Sequence, residues 1–342
     1  MSTNQLNERA AVDHFRMGLV LAVGSAFAFG SSGPFAKSLM EAGWSPTAAV
    51  IARLAGGALV MAVFATIVRP NWFREALTHA KTVVAYGVIP IAGAQVCYYN
   101  AVEHLSVGVA LLLEYTAPIL VVAWVWGRTR RRPSNMTLGG VALAVAGIML
   151  VLGVFQASGF AAPHINMIGV GWALAAAVCA ACYFVMSDEV AADGTGLNSV
   201  TLAAGGLVVG TAAVALLGVA GIMPVTFATN DAVVAGWTTS WLVPVIALAV
   251  VATAIAYTLG IMGIARLRPR FASLVGLSEV MFAVLAAWVL LGEAMTPTQA
   301  IGGAIVLVGL ALARQGDRSE ALAQATWPDG PIVDKPPARA NG

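Results

Sequence analysis

The sequence predicts an all-α, polytopic membrane protein of ten transmembrane helices, arranged as two inverted five-helix repeats. Three observations predict it. The 342 residues are 59% hydrophobic and only 10% charged, whereas a soluble globular chain carries about 25% charged residues. So few charges cannot cover a water-facing surface. Ten apolar segments are long enough to cross a bilayer. One stretch also occurs twice, at Leu105–Gly147 and Leu267–Gly309, with the charge of its loops reversed.

A spanning helix needs about 20 mostly apolar residues. Residues 1–16 are polar and mixed in charge, unlike a cleaved signal peptide, and are expected to form a cytoplasmic N-terminal segment. The first repeat covers 17–155, with spans at 17–39, 45–68, 82–102, 106–126 and 136–155. The second covers 167–314, with spans at 167–187, 198–221, 238–262, 271–291 and 298–314. The longest connection, 222–237, holds one acid, Asp231. The tail 315–342 is polar and proline-bearing and is expected to be disordered and cytoplasmic.

Loop charge orders these spans. Arg128, Arg130, Arg131 and Arg132 follow the fourth span, whereas the matching loop after the ninth, GEAMTPTQ, holds Glu293 and no base. Before the fourth span stand Glu103 and His104; before the ninth stand Arg266, Arg268 and Arg270. Lys/Arg-rich short loops stay cytoplasmic. With the N-terminus inside, Arg9, Arg16, Arg69, Arg74, Lys81 and both arginine clusters fall inside, and only Lys37, near the end of the first span, falls towards the outside. An odd number of spans per repeat makes the second copy enter from the opposite side. That is the inverted repeat of many secondary transporters. Both termini are expected in the cytoplasm.

Several polar residues lie inside the spans. The first span contains Gly30-Ser31-Ser32-Gly33-Pro34; Gly and Pro interruptions point to a binding region, so Ser31 and Ser32 are candidates to face a cavity, the alternative being a simple kink. Arg53 is the base deepest in a span. It could clamp a substrate carboxylate, pair with Glu114, or reach towards the interface. Gln95, Tyr98, Tyr99 and Asn100 close the third span and need partners inside lipid. Glu114 and Glu279 each lie near mid-membrane at matching repeat positions. A bare charge there costs about 3 kcal/mol or more, and low dielectric favours a protonated carboxyl group. They are expected to share a central hollow and to bind a substrate amino group or a coupling proton; protonated packing elements are the alternative. Tyr257, in the eighth span, is too deep for an interface anchor. Cys179-x-x-Cys182 sits in an unbroken apolar run and reads as packing, and Gly206-x-x-x-Gly210 as helix contact.

The second copy resembles the EamA-type family of the drug/metabolite transporter superfamily. The resemblance rests on Leu291-Gly292-Glu293, Thr296-Pro297, Gln299, Gly302 and Gly309, and on the run ATAIAYTLGIMGIARLRPRFASLVGLSEVMFAVLAAWVLLGE upstream. In the first copy YYNAVEHLSVGVALLLEYTAP, with Pro118, resembles the family's third and fourth helices. The segment LLLEYTAP and the Glu279/Glu293 spacing are closest to threonine/homoserine-type amino-acid exporters. Two departures stand out: Val280 replaces a proline frequent in the family, and Gly127-Arg128 stands where the second copy has its Leu-Gly-Glu.

The resemblance implies a secondary carrier in the bacterial inner membrane, exporting a small metabolite such as an amino acid by alternating access. Proton coupling would follow from the buried acids. No phosphate-binding loop is present, and no cofactor or metal is implied. The expected partners are a small-molecule substrate and the lipid bilayer, with no nucleic acid; ten spans suffice for a monomer or a weak homodimer. The competing classes are a membrane enzyme on lipid-linked substrates and a non-transporting scaffold. The four histidines, His14, His79, His104 and His164, are scattered and form no catalytic cluster.

Overall fold

A computed structural model describes residues 3–130, 132–152, 166–192, 197–256, 258–259 and 269–325. Its helices are α1 (Thr3–Gly30), α2 (Ser32–Glu41), α3 (Pro46–Val68), α4 (Trp72–Thr78), α5 (Ala80–Tyr86), α6 (Ala94–His104), α7 (Val107–Glu114), α8 (Ala117–Thr129) and α9 (Asn135–Val151). They continue with α10 (Met167–Ala192), α11 (Ser199–Val219), α12 (Leu242–Ile246), α13 (Pro269–Leu291) and α14 (Pro297–Ala325). Two π-helical stretches, Gly87–Gly93 and Ala247–Ile255, continue α5 into α6 and extend α12.

Five segments are long and apolar enough to cross a membrane: Arg16–Glu41, Pro46–Val68, Ala80–His104, Val107–Arg128 and Val200–Val219. Five shorter apolar helices, Asn135–Val151, Met167–Tyr183, Leu242–Ile255, Leu277–Leu291 and Pro297–Ala313, fall on the other expected spans. Large apolar side chains stand exposed around the bundle, among them Val20, Leu59, Ile67, Leu216, Met281 and Val308. A water-facing protein does not present so many; lipid is the solvent they fit.

Helix ends carry the expected chemistry. Ser45 caps α3 by accepting from the Ala48 N–H, with Pro46 in the first turn, and Ser134 caps α9 from Thr137. At α14, Thr296 and Gln299 exchange side chain-to-backbone bonds of 3.1 and 3.2 Å. This is a capping box around Pro297. Two spans are broken near their middles, each four residues before a proline. Pro34 has no N–H to offer the Gly30 carbonyl, and the first span divides at Ser31. Pro118 has none for Glu114, and the fourth span divides at Tyr115–Thr116. Both follow from the missing donor.

The packing links distant parts of the chain. α3 packs on α11, and α9 runs along α14. α1 lies against α13 and the π-helical stretch at 247–255, and α10 lies against α7, α8, α6 and the stretch at 87–93. The α9–α14 seam is reciprocal. Gly140 abuts Gly309 and Ala313, and Gly147 abuts Gly302 and Val306, so close that a Cβ on any of the four glycines would meet opposing backbone. Small residues allow such backbone approach in membranes.

Three features depart from the expected organisation. α1 starts at Thr3, inside the segment expected to be a polar N-terminal stretch. α14 continues to Ala325, past the expected start of the disordered tail, because Ala, Glu, Leu, Gln and Arg in 315–325 are good helix formers and the first proline comes at Pro328. The connection after α11 holds a small hairpin, β1 (Ala232–Val234) paired antiparallel with β2 (Trp237–Thr239). Its turn puts Ala235 and Gly236 at φ 55 and 76, the two positive values of a type I′ turn. The connection lies over the α2–α3 turn: Trp44 Nε1 donates to the Ala228 carbonyl at 2.7 Å, and Asn230 Nδ2 to the Ala42 carbonyl at 3.0 Å.

Candidate functional site

Both helix breaks open onto the same region. Ser32, the first residue of α2, accepts a 2.5 Å hydrogen bond from Arg53 Nη1 on α3. The same nitrogen lies 2.7 Å from Gln95 Oε1 and 3.3 Å from the Tyr99 hydroxyl, both on α6. Ser32 and Tyr99 are themselves 3.3 Å apart, oxygen to oxygen. Arg53 is only 6% exposed and Tyr99 fully buried. A buried guanidinium must have its N–H groups satisfied, and these three partners come from two other elements, α2 and α6. The glycines at the break are what let neighbours close in. A Cβ at Gly33 would strike the Tyr98 hydroxyl and Val107, and one at Gly30 would strike the backbone at Glu279 and Ala283.

Glu279 faces this region from the middle of α13, which runs through it unbroken; Val280 is compatible with that continuity where a proline would not be. Its Oε2 accepts a 2.7 Å hydrogen bond from the Tyr115 hydroxyl, at the break between α7 and α8. Glu114 is the last residue of α7. Glu114, Glu279 and Arg53 lie within electrostatic reach of one another, and Tyr98 lies within reach of all three. A guanidinium and two carboxyl groups at one depth, with phenol hydroxyls between them, complement a small solute carrying both an amino and a carboxylate group.

Of the sequence candidates, the structure therefore gathers Glu114, Glu279, Arg53, Tyr98, Gln95 and Ser32. Two point their donors elsewhere. The Ser31 hydroxyl bonds the Ala28 carbonyl at 2.7 Å, and the Asn100 amide bonds the Val96 carbonyl at 2.7 Å, each on its own helix. Short polar side chains commonly satisfy themselves this way. Tyr257 lies outside the described residues. Tyr115 was not among the candidates; the signal for it was a phenol beside Glu114 at mid-membrane, where a hydroxyl needs a partner. Cys97, Cys179 and Cys182 are free thiols. The Cys97 and Cys179 thiols face each other across α6 and α10. Among the described residues, no three His, Cys, Asp or Glu side chains converge as metal ligands.

Comparison with known proteins gives this geometry a context. The profile of the EamA-like transporter family matches twice, over residues 16–153 and 167–315. The threonine/homoserine exporter RhtA of Escherichia coli (strain K12) is 28% identical over 277 residues, 80% of this chain and 84% of that one. RhtA of Salmonella typhimurium (strain SL1344) is 28% identical over 273 residues, 79% and 81% of the two chains. A protein known from its crystal structure, 21% identical, superposes with a TM-score of 0.56 over 91% of this chain and 99% of its own; at that identity the likeness concerns the fold alone.

Proposed function

The chain belongs to the EamA-like transporter family, and from that premise we propose that it exports a small amino acid, of the threonine or homoserine kind, by proton-linked alternating access across the bacterial inner membrane. The family is one of transporters, so the reading as a membrane enzyme falls away. The observation that carries the proposal is the meeting of Arg53 with Glu279 and Glu114 at two broken helices. In a bilayer, irregular backbone is tolerated where it is buried or lines a cavity, and discontinuous helices mark transporter binding sites. Arg53 takes the substrate carboxylate, displacing part of its hydroxyl and amide shell. Glu279, held by Tyr115, takes the ammonium group or exchanges a proton with it, and Glu114 stands as the second acid. The names of the relatives favour a hydroxylated substrate.

The contact pattern supports an inverted repeat. Exchanging each helix with its counterpart five spans away maps the main contacts between the halves onto one another: α3–α11 and α9–α14 onto themselves, and α1–α13 onto α10–α7 and α10–α8. The reciprocal glycine seam between α9 and α14 has the same symmetry. The basic loops favour a cytoplasmic position for both termini.

Transport by purified protein in liposomes tests the proposal. With an imposed proton gradient, labelled threonine or homoserine should accumulate, and unlabelled substrate inside should drive counterflow. Neither process for any amino acid, with protein shown to be folded and inserted, would refute it.

A further inference from the structure

Beyond the central site stand two glutamates, one at each end of the bundle. Glu293 stands in the loop between α13 and α14. One carboxylate oxygen pairs with Lys37 Nζ, and the other accepts the Val107 N–H at 3.1 Å. Lys37 Nζ also donates to the Leu105 carbonyl at 3.2 Å. Lys37 belongs to α2 and Val107 begins α7. These are the two half-helices whose inner ends border the site: α2 begins with Ser32, which holds Arg53, and α7 ends with Glu114. A single carboxylate thus ties the middle of α2 and the far end of α7 to the α13–α14 loop. A small cavity lies directly beneath it, lined by Ser106, Gly108, Val284, Ala287 and Met295. The hairpin adds one backbone tie at the same end, from the Ala235 N–H to the Leu290 carbonyl at 2.7 Å.

Glu75, on α4, makes the corresponding grip at the opposite end. Its Oε1 accepts the Asn198 N–H at 2.6 Å and its Oε2 the Thr201 hydroxyl at 2.9 Å, holding the start of α11. In both places an acid from one half of the chain caps a helix start in the other half, where orphan N–H groups and the helix dipole favour negative charge.

We infer that Glu293 with Lys37 and Glu75 with the start of α11 are opposed latches, the first closing the outer end of the transport path and the second the cytoplasmic end. The assignment of ends rests on the orientation proposed above; the opposition of the latches does not. Substrate reaching Arg53 and Glu114 acts on α2 through the Arg53–Ser32 bond and on α7 directly, so occupancy is transmitted to the Glu293 latch through two half-helices hinged at Ser31 and Tyr115–Thr116. Breaking either latch should favour the state open at its own end.

Cysteine accessibility tests this. In full-length protein with Cys97, Cys179 and Cys182 replaced by alanine, a cysteine is introduced at Ala287, 2% exposed beside the Glu293 cavity, or at Ala204, fully buried one turn into α11 from Thr201. A membrane-impermeant thiol reagent is applied to intact cells and to inverted vesicles. E293Q and K37M should each speed labelling at position 287 from the cell exterior at least tenfold and leave 204 unchanged. E75Q should do the reverse, from the cytoplasmic side. K37R should stay slow. If E293Q does not fold, K37M carries the test alone. Unchanged rates in folded E293Q, K37M and E75Q overturn the inference. So does faster labelling at both positions in every variant, which would mean general loosening. Opposed labelling with the two sides exchanged supports the latches and refutes the orientation.

Discussion

The Tyr115 hydroxyl donates a 2.7 Å hydrogen bond to Oε2 of Glu279, joining residues 164 positions apart in sequence. It links the break in one half of the chain to the unbroken α13 of the other. Tyr115 sits beside Glu114, so one short segment presents an acid of its own and steadies the acid opposite. The bond holds Glu279 in one orientation, within electrostatic reach of Arg53.

Tyr115→Phe removes that bond while keeping the ring. A hydrogen bond to a carboxyl group is worth about 1–3 kcal/mol, and 1.4 kcal/mol is about tenfold in an equilibrium. Substrate uptake in proteoliposomes should fall about tenfold, with little change in melting temperature, because the ring packing survives. Uptake equal to wild type would show that Tyr115 does not position Glu279 for transport.

Glu279→Gln keeps the size of the side chain and an acceptor for Tyr115 but cannot ionise. Counterflow needs no net proton movement, whereas uphill accumulation does. Glu279→Gln should therefore abolish accumulation driven by a proton gradient and retain counterflow at a reduced rate. Glu114→Gln separates the roles of the two acids. Proton-driven accumulation that persists with normal pH dependence in both variants would remove the carboxyl groups from coupling.

The α9–α14 seam offers an internal control. A Cβ on Gly140 would lie 2.4 Å from the Ala313 nitrogen, whereas one on the neighbouring Gly139 would meet nothing within 4 Å. Gly140→Val must push the two helices apart, and overpacking costs about 1–3 kcal/mol or more. Its melting temperature in detergent should drop by several degrees, with Gly139→Val close to wild type. Equal behaviour of the two variants would argue against the close seam.

The legible parts of this protein are those set by chemistry local to a segment. Apolar length marked the spans, and the Gly30–Pro34 stretch marked the break in the first span; the break before Pro118 has the same cause, a missing N–H that acts four residues away, yet was not read from the sequence. Glu114, Glu279 and Arg53 stood out because a charge in an apolar run needs a reason. What stayed hidden depends on partners far along the chain or on backbone choices with weak signals. Tyr115 reads as an ordinary aromatic until Glu279 is placed against it. The hairpin turn uses Ala235 where asparagine or glycine would have announced a type I′ turn. Ser31 and Asn100 look like site residues by depth alone, yet each finds a carbonyl on its own helix. The grip of Glu75 on α11 joins segments 123 residues apart and leaves no mark in either.

Arg53 decides how the substrate is held. Its Nη1 already meets Ser32, Gln95 and Tyr99, so the residue both joins α2, α3 and α6 and offers a planar donor fork. Lysine keeps the charge but not the fork, and the exchange is not conservative at a bidentate site. Arg53→Lys should raise the KM for a carboxylate-bearing substrate about tenfold or more, the worth of one or two charge-assisted bonds, while the protein stays folded. Arg53→Met leaves buried Ser32 and Tyr99 and half-buried Gln95 without their donor and should lower the melting temperature as well. The comparison separates clamp from scaffold. If Arg53→Lys transports with wild-type KM and only Arg53→Met suffers, the guanidinium is a brace between helices, and the substrate carboxylate is bound elsewhere.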